Sequence, residues 1–318
     1  MPTDPPELTI AGHGLTARFL RMGAILRDLR LEGVAHPLVL GLADAEHYPE
    51  FSNYMGATAG RFANRIGGAR FPLDGREHRT DANFLGRHTL HGGAAGTGKR
   101  VWDVAEHEED AVRFAIALAD GEMGFPGAMR AEARFACVAP ATLRIDYEAT
   151  AEAPTICNLA HHTYWNLDGA DTVGGHYLTV AADRYVPVDA EMIPTGVTDV
   201  AGTPYDFRAG RQLPGEGLLD HNLCLSDARV PLRDVAMLHA RGLSMRLATT
   251  EPGLQVYDGA KLATLVPGLD GRTYRKHAGV ALEPQLWPDA PNRTGFPDGT
   301  LRPGERYHQT TTFTFRKG

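Results

Sequence analysis

Apolar and polar residues alternate with a period of two wherever the chain shows a clear pattern. Residues 112–118, 143–148 and 243–248 each place apolar side chains at every second position, with small or charged residues between them. A strand with one face in a core and the other in water has this pattern, so each segment predicts an antiparallel strand. The predicted inward positions are Val112, Phe114, Ile116, Leu118, Leu143, Ile145, Tyr147, Leu243, Met245 and Leu247.

Glycine and proline interrupt the chain at short intervals. The 36 glycines and 21 prolines leave few windows long enough for a helix of three turns with an apolar stripe, and short helices are expected around residues 42–50. No Ser/Gly-rich or Pro-rich linker and no repeat of 20 to 50 residues divides the sequence. We therefore predict an all-β protein, a sandwich or barrel that forms one domain over residues 1–318.

Composition limits the classes of partner. Hydrophobic residues make up 43% and charged residues 22% of the chain, which is typical of a globular protein with a packed core. The formal net charge of −7 comes from scattered acids and bases, and no run of lysine or arginine forms a phosphate-binding stripe. These features argue against nucleic acid and against anionic membranes as partners.

The cysteines and the N-terminal segment predict a cytoplasmic location. Cys137, Cys157 and Cys224 are an odd, sparse set without paired spacing, which fits a reducing compartment better than a disulfide framework. Residues 1–15 have neither the basic start nor the apolar stretch of a signal peptide. No run of 18 apolar residues occurs anywhere in the chain.

Four short segments are dense in polar and ionisable side chains: residues 60–71, 87–93, 157–169 and 282–292. Each segment alone has a structural interpretation, as a surface ion pair, a turn, a buried hydrogen-bonded histidine or a solvated acid. A functional site is predicted only if the fold brings the segments together, which periodicity does not show.

The segment CNLAHHTYWNLDG, residues 157–169, contains the adjacent His161 and His162. The ordinary pKa of imidazole lies near neutral pH, so either side chain is a candidate acid or base. If the segment is extended, the two side chains point to opposite faces of a sheet and only one reaches a given ligand. The alternative is that one histidine is exposed and the other is hydrogen-bonded in the core.

Metal and phosphate sites are the less favoured interpretations. A cupin-like metal site places His-x-His and a nearby Glu on neighbouring strands, whereas His88 and His91 are three residues apart and the other pair is adjacent. No glycine-rich loop ends in Lys followed by Ser or Thr, which argues against a phosphate-binding loop. Acid–base chemistry by His and Glu side chains is therefore favoured over a metal centre.

Glu283 is the candidate base. It ends an alternating run and precedes Pro284, which favours an extended backbone at Glu283. Pro288 and Pro291 stiffen the loop that follows. A carboxylate held at a strand end by such a loop is well placed for proton transfer, although the same pattern is typical of a surface loop.

Eight motifs follow one another along the chain: GRFANRI, TLHGG, GFPG, NLAHHTYWNLDG, PTGVTDVAGTPYDFR, LDHN, EPGLQVYDG and LEPQLWPDAPN. In this order and spacing they resemble the aldose 1-epimerases, also called galactose mutarotases, over roughly residues 54–292. The resemblance implies a single large antiparallel β-sandwich of the galactose mutarotase type, with a sugar cleft across one sheet. It also implies that the protein uses no metal and no organic cofactor.

The resemblance assigns roles to individual residues. It implies that His162 is the catalytic acid and Glu283 the base, and that the sugar is bound by Asn64, Arg65, His91, Asp220 and Gln255. Apart from the resemblance, Tyr164, Trp165 or Trp287 could pack on the face of a sugar ring, because aromatic side chains offer a large apolar surface. The sequence departs from the family at His161, where Asn is more frequent, and at residues 257–260, where relatives often have Thr-Gly-Asn after the first tyrosine.

The implied activity is interconversion of the α and β anomers of a free hexose or pentose by a monomer or homodimer. Two alternatives remain: a non-catalytic carbohydrate-binding module on the same fold, and an epimerase of sugar phosphates. A binding module has no need for an acid–base pair, and a sugar-phosphate enzyme should carry a basic cluster that the sequence does not show.

Overall fold

The structure, a computed structural model, describes residues 7–318, so the first six residues of the N-terminal segment analysed above lie outside the described residues. Strands dominate the chain. The first thirteen are β1 (Glu7–Gly12), β2 (Leu15–Leu20), β3 (Ile25–Leu31), β4 (Thr58–Ala59), β5 (Arg65–Ile66), β6 (Arg70–Leu73), β7 (Arg76–Arg79), β8 (Thr89–Leu90), β9 (Asp103–His107), β10 (Ala111–Leu118), β11 (Met129–Val138), β12 (Thr142–Ala151) and β13 (Thr155–Ile156).

The second half of the chain continues in the same way. Its strands are β14 (Ala160–His161), β15 (Tyr164–Trp165), β16 (Tyr177–Val180), β17 (Arg184–Val186), β18 (Thr198–Asp199), β19 (Arg211–Gln212), β20 (Asp220–Cys224), β21 (Arg233–Ala240), β22 (Leu243–Thr249), β23 (Gly253–Tyr257), β24 (Val280–Gln285), β25 (Thr300–Leu301) and β26 (Tyr307–Lys317).

Helices are short. The α-helix α1 spans Tyr48–Phe51 and follows a 3₁₀ turn at Ala45–His47, which confirms the prediction of short helices around residues 42–50. Further 3₁₀ turns lie at Gly67–Ala69, Thr97–Lys99, Glu122–Gly124, Leu269–Gly271 and Ala290–Asn292. Within residues 7–318, no helix has the length and apolar character needed to cross a membrane.

Two large sheets form the body of the protein. The nine-stranded sheet has the order β19-β16-β21-β22-β26-β12-β11-β10-β9, and the six-stranded sheet has the order β15-β24-β23-β20-β17-β18. A three-stranded sheet, β1-β2-β3, and four two-stranded sheets complete the fold. Neighbouring strands in these sheets run antiparallel, which confirms the predicted all-β antiparallel architecture.

The main core lies between the inner faces of the two large sheets. All ten side chains predicted from the alternation belong to one cluster of buried apolar residues, together with Leu254 of β23 and Leu282 of β24. The charged partners of that alternation, such as Arg144 and Asp146, lie on the opposite face of β12 and bond to each other. Burial of every second side chain removes a continuous apolar face from water, which stabilises the pairing register.

The six-stranded sheet positions the remaining polar segments. Leu254, Val256 and Leu282 face the core, so Gln255 and Glu283, at alternate positions of β23 and β24, share the outward face. Glu283 is paired with Gln255 across the strands. The period-two geometry thus separates an apolar inner face from a polar outer face on the same strands.

All three cysteines, Cys137, Cys157 and Cys224, are buried free thiols. Burial raises the pKa of each thiol, to about 11 for Cys137 and to about 12 for the other two. The thiols are therefore protonated at neutral pH and behave as small apolar groups in the core.

The glycine pair of residues 92–93 has a structural role. Gly92 lies against the backbone of Gly60. Gly92 has a φ of +82°, and a Cβ built on it would lie 2.0 Å from the carbonyl oxygen of Gly60. Only glycine combines this left-handed backbone with such a close approach.

We expect Gly92→Ala to lower the free energy of unfolding by more than 2 kcal/mol, on the order of a left-handed alanine plus a backbone clash. Gly86→Ala is the matched control, because Gly86 also has a positive φ, of +66°, but has no atom within 4 Å of its built Cβ. That control should cost only about 1–2 kcal/mol. Urea unfolding followed by circular dichroism measures both, and equal losses would contradict the assigned contact.

Candidate active site

A cavity of about 190 Å³ opens on the outward face of the six-stranded sheet. It brings together side chains from all four polar segments that the sequence singled out. Its lining consists of Asn53, Tyr54, Asn64, Arg65, Phe84, Leu90, His91, His162, Tyr164, Asp220, Tyr257, Lys261 and Glu283. Six of the seven predicted site residues therefore line one cavity, and Gln255 does not.

His162 and Glu283 form the innermost ionisable pair. The Nε2 atom of His162 lies 3.7 Å from Oε1 of Glu283, and the two residues are 6% and 2% exposed. His162 sits between β14 and β15, where its N–H donates to the Ala57 carbonyl oxygen at 2.9 Å and its own carbonyl accepts from Gly56 at 3.0 Å. These two hydrogen bonds hold the backbone of His162, which places its imidazole in the cavity.

Glu283 lies within β24, not at its end as the sequence suggested. The strand continues through Pro284 to Gln285, although proline offers no N–H for a strand ladder. The neighbouring strand β15 pairs only with Val280 and Ala281 of β24, so β24 has become an edge strand at Pro284, where proline is tolerated.

Burial controls the protonation of this pair. It raises the pKa of Glu283 well above the usual range, and nearby Asp220 raises it further while Arg65 lowers it. Burial also lowers the pKa of His162 to about 4. Both shifts favour the uncharged groups, which are the protonated carboxyl of Glu283 and the neutral imidazole of His162.

His91 and Asn64 support each other at the cavity wall. The pairing of β5 with β8 brings them together: the Asn64 N–H donates to Nδ1 of His91 at 3.2 Å, and the His91 N–H donates to the Asn64 carbonyl at 2.9 Å. Because Nδ1 of His91 accepts, Nε2 carries the proton and can donate. Burial lowers the pKa of His91 well below its usual value, which keeps this imidazole neutral.

Both residues have left-handed backbone, with φ of 61° at Asn64 and 50° at His91. Residues other than glycine rarely adopt this conformation, and Asn and His are among those that do so most readily. The β5–β8 pairing and the reciprocal bonds hold them in it, which is a common feature of preorganised sites.

Asp220 connects Arg65 to Gln255. One carboxylate oxygen of Asp220 lies 3.4 Å from Nη2 of Arg65, and the other accepts from Nε2 of Gln255 at 2.5 Å. Gln255 is 2% exposed and lies behind Asp220 as seen from the cavity. In the free protein Gln255 therefore orients Asp220, and the carboxylate is the group presented to the cavity.

Asp289 ties the wall of the cavity to the loop after β24, a role that sequence analysis missed. Its N–H donates to the Arg65 carbonyl at 2.9 Å. Its carboxylate accepts from the Gly67 N–H at 2.8 Å and from Nε of Arg293 at 2.8 Å. Asp289 itself has left-handed backbone, with a φ of 58°, so the loop turns sharply at this anchor.

The structure separates the three aromatic candidates. Trp165 is fully buried in the core against Phe313, and Trp287 is 1% exposed and packs in a separate buried cluster. Strand alternation explains Trp165, because it points to the opposite face from Tyr164. Of the three candidates, only Tyr164 lines the cavity.

Several lining residues were missed by sequence analysis: Asn53, Tyr54, Phe84, Leu90, Tyr257 and Lys261. Most of them lie in loops, where no periodicity marks which side chains face inward. The one available signal was the departure from the family pattern at residues 257–260, next to Lys261. Tyr164 and Tyr257 pack edge to face, with ring centroids 6.0 Å apart.

His161 lies outside the cavity, in the core. Its Nε2 is 2.5 Å from the Thr163 hydroxyl oxygen, and its ring packs edge-on against Phe135 at 5.6 Å. Burial lowers the pKa of His161 to about 3. The two adjacent histidines thus occupy different environments, although both are buried.

Other parts of the molecule offer weaker sites. Residues 7–318 contain no cluster of three His, Cys, Asp or Glu side chains arranged to hold a metal ion. A larger cavity, of about 500 Å³, lies over the outer face of the nine-stranded sheet. Its charges neutralise one another, since Arg113 pairs with Glu106 and Glu132, and Arg306 pairs with Glu148.

The similarity of this chain to known proteins extends over almost its whole length. The sequence profile of the family described as aldose 1-epimerase matches residues 6–314. Galactose mutarotase of Rattus norvegicus is 38% identical over 294 residues, which cover 89% of this chain and 85% of that protein. Aldose 1-epimerase of Escherichia coli is 34% identical, covering 95% and 92% of the two chains. A crystal structure of an aldose epimerase homologue from C. elegans superposes with a TM-score of 0.91 at 33% identity, over 98% of both chains.

The burial of the two adjacent histidines predicts their titration. We expect His162 to remain neutral down to about pH 4 and His161 to about pH 3, because desolvation penalises both imidazolium ions. Side-chain ¹⁵N chemical shifts recorded by NMR across this range would show it, with the His162 signal assigned from its loss in His162→Asn. A His162 midpoint near the ordinary value of about 6.5 would contradict the closed environment described here.

Proposed function

The chain belongs to the aldose 1-epimerase family of isomerases, and from this premise we propose that it interconverts the α and β anomers of a free aldose, with Glu283 as base and His162 as acid. The observation that carries the proposal is the 3.7 Å separation of these two groups inside one cavity. A proton donor and a proton acceptor at this spacing can serve two oxygens of one small sugar.

The reaction requires two proton transfers. Glu283 takes the proton of the anomeric hydroxyl, the bond between C1 and the ring oxygen breaks, and the ring oxygen takes a proton from His162. The open-chain aldehyde then rotates about the bond from C1 to C2. Ring closure on the other face returns the proton of the ring hydroxyl to His162, and the proton on Glu283 passes to the new anomeric oxygen.

The reaction requires one proton on the pair formed by His162 and Glu283. The group that carries this proton is the acid, and the other group is the base. In the free protein burial places that proton on Glu283, whereas ring opening as written starts from a carboxylate and an imidazolium. The two forms differ only by a proton shift between neighbouring groups. A bound sugar favours the charged form, because its anomeric hydroxyl donates to the carboxylate and its ring oxygen accepts from the imidazolium.

The remaining polar groups suit a substrate rich in hydroxyls. The Asp220 carboxylate accepts hydrogen bonds, while Arg65 and the Nε2–H of His91 donate them. The rings of Tyr164 and Tyr257 provide apolar surface for the sugar. Recognition should depend on hydroxyls away from C1, since tight selection of one anomer would oppose the reaction.

The two alternatives have less support. A binding module has no use for a carboxyl group buried beside an imidazole, because burial of both groups is unfavourable without a role. A phosphate dianion would have to be held by the cationic side chains of the cavity, Arg65 and Lys261, and Arg65 is already paired with Asp220. The monomer or homodimer and the cytoplasmic location remain predictions.

Polarimetry of freshly dissolved α-glucose, α-galactose, xylose and arabinose tests the activity directly. We expect the protein to accelerate the change in optical rotation for at least one of them. Glu283→Gln and His162→Asn should each lower kcat by about 10²- to 10⁴-fold, because each removes one positioned proton-transfer group.

His161→Asn is the matched control for His162→Asn, because it makes the same change at the adjacent residue outside the cavity. It removes at most a supporting hydrogen bond and should slow turnover by no more than about tenfold. Circular dichroism confirms that each variant is folded. A folded His162→Asn near the wild-type rate, or a folded His161→Asn as slow as Glu283→Gln, would disprove the assigned roles.

The pH dependence of kcat/KM should be bell-shaped, because activity requires one proton on the pair. The acid limb should lie near pH 4, where the pair gains a second proton, which binds to His162. The alkaline limb should follow the raised pKa of Glu283, where the pair loses its first proton. In His162→Asn the remaining base works only as a carboxylate, so the residual rate should rise with pH through the raised pKa of Glu283. In Glu283→Gln the remaining acid works only as an imidazolium, so the residual rate should fall as the pH rises through about 4. Residual rates that change with pH in the opposite directions would contradict the assigned roles.

A further inference from the structure

The outward face of the six-stranded sheet continues beyond the cavity as a row of buried carboxamides. Gln255, Asn222 and Gln285 are 2%, 1% and 0% exposed. Glu283 is paired with Gln255, and Gln255 is paired with Asn222. Gln285 lies two residues after Glu283 on β24, so it shares the face of Glu283.

Gly253 brings two of these carboxamides together. Gly253 is paired with Gln285 across the strands, and a Cβ built on Gly253 would lie 2.4 Å from Oδ1 of Asn222. The Asn222 carboxamide therefore leans over Gly253 toward the strand that carries Gln285. The missing side chain at residue 253 makes room for this approach.

Six polar atoms in this row have no nitrogen or oxygen hydrogen-bond partner among the described residues, although the Cys224 thiol lies beside the Asn222 carboxamide. They are Oε2 of Glu283, Oε1 of Gln255, and both the nitrogen and the oxygen of the carboxamides of Asn222 and Gln285. Buried donors and acceptors without partners are costly, and native proteins satisfy nearly all of them. Such a concentration of unpaired groups on one face indicates a bound polar partner.

The surrounding side chains restrict what that partner is. Beyond the row, Trp287, Cys224 and Val186 form a buried apolar cluster, and the Trp287 Nε1–H donates to the Pro252 carbonyl at 2.9 Å. On the other side lies Glu283. A site closed in this way, with several donors and acceptors, suits an internal water molecule, which usually makes roughly two to four hydrogen bonds.

We propose that Asn222 and Gln285 are positioning residues for Glu283, and that they act through an internal water that donates a hydrogen bond to its Oε2. The proposal rests on the proposed function of Glu283 as base. A donor at Oε2 stabilises the carboxylate form and leaves Oε1, the oxygen nearer His162, for the substrate. This hydrogen bond therefore offsets part of the desolvation cost that disfavours the carboxylate form of Glu283.

Other charged and titratable groups also face Glu283 from the elements packed around it. Those that line the same cavity are Tyr54, Arg65, His91, His162, Tyr164, Asp220, Tyr257 and Lys261. None of them is altered when Asn222 or Gln285 is replaced. A change in the titration of Glu283 in such variants therefore reports on the carboxamide row.

Asn222→Leu and Gln285→Met remove the polar atoms while retaining similar size. We expect each variant to move the alkaline limb of the kcat/KM profile to higher pH by about one unit, because the carboxylate loses a donor. The same change makes the reactive charged pair about tenfold scarcer, so kcat on the plateau should fall about tenfold while KM stays nearly constant.

Gln309→Met is the matched control. Gln309 is also a buried carboxamide and holds the same strand, since its Nε2 donates to the Pro284 carbonyl at 3.1 Å. It belongs to β26 of the nine-stranded sheet, and both ends of its carboxamide have partners, Tyr307 and the Pro284 carbonyl. Its loss should therefore lower the melting temperature without moving the alkaline limb. Folded row variants with an unmoved limb, or a control variant that moves it equally, would overturn the proposal.

A high-resolution crystal structure of the wild-type protein keeps the proposal testable if the row variants do not fold. It should show an ordered water within about 3.2 Å of Oε2 of Glu283 and of a carboxamide of Asn222 or Gln285. Direct packing without water would overturn the proposal. A wild-type protein that does not accelerate mutarotation would refute the proposed function instead, whether or not the water is present.

Discussion

The burial of Glu283 is the constraint on which the cleft depends. A carboxyl group that is 2% exposed loses most of its hydration, so its ionised form must be stabilised by fixed neighbours. Arg65 provides positive charge, and Asp220 holds Arg65 in place while opposing that effect. The cleft thus balances two carboxyl groups against one guanidinium group, with the neutral His162 completing the arrangement.

The sheet that carries Glu283 is fixed from several directions. Gln309 bonds to the Pro284 carbonyl, Asn158 accepts from the Leu286 N–H at 2.9 Å, and Asp289 joins the following loop to β5. These bonds come from distant parts of the chain. A base held in this way keeps its position relative to His162 without relying on exposed loops.

The same strands serve the core and the cleft because side chains alternate between the faces of a sheet. In β23 and β24, Leu254 and Leu282 contribute to the main core, while Gln255 and Glu283 build the polar face. Packing energy from the inner face therefore fixes the register that places the polar groups. A shift by one residue would exchange the two faces and remove both the core and the site.

The sequence by itself determined the period-two strands, the short helices and the all-β class, since these depend on local alternation and on glycine and proline. It also supplied the motifs whose resemblance selected the residues of the cleft. Only the tertiary structure decided that Trp165 and Trp287 are buried away from the cavity, that Gln255 lies behind Asp220, that Asp289 is an anchor, and that Tyr54 and Lys261 line the wall. These outcomes depend on contacts between residues far apart in the chain and on loop conformations, which no local pattern specifies.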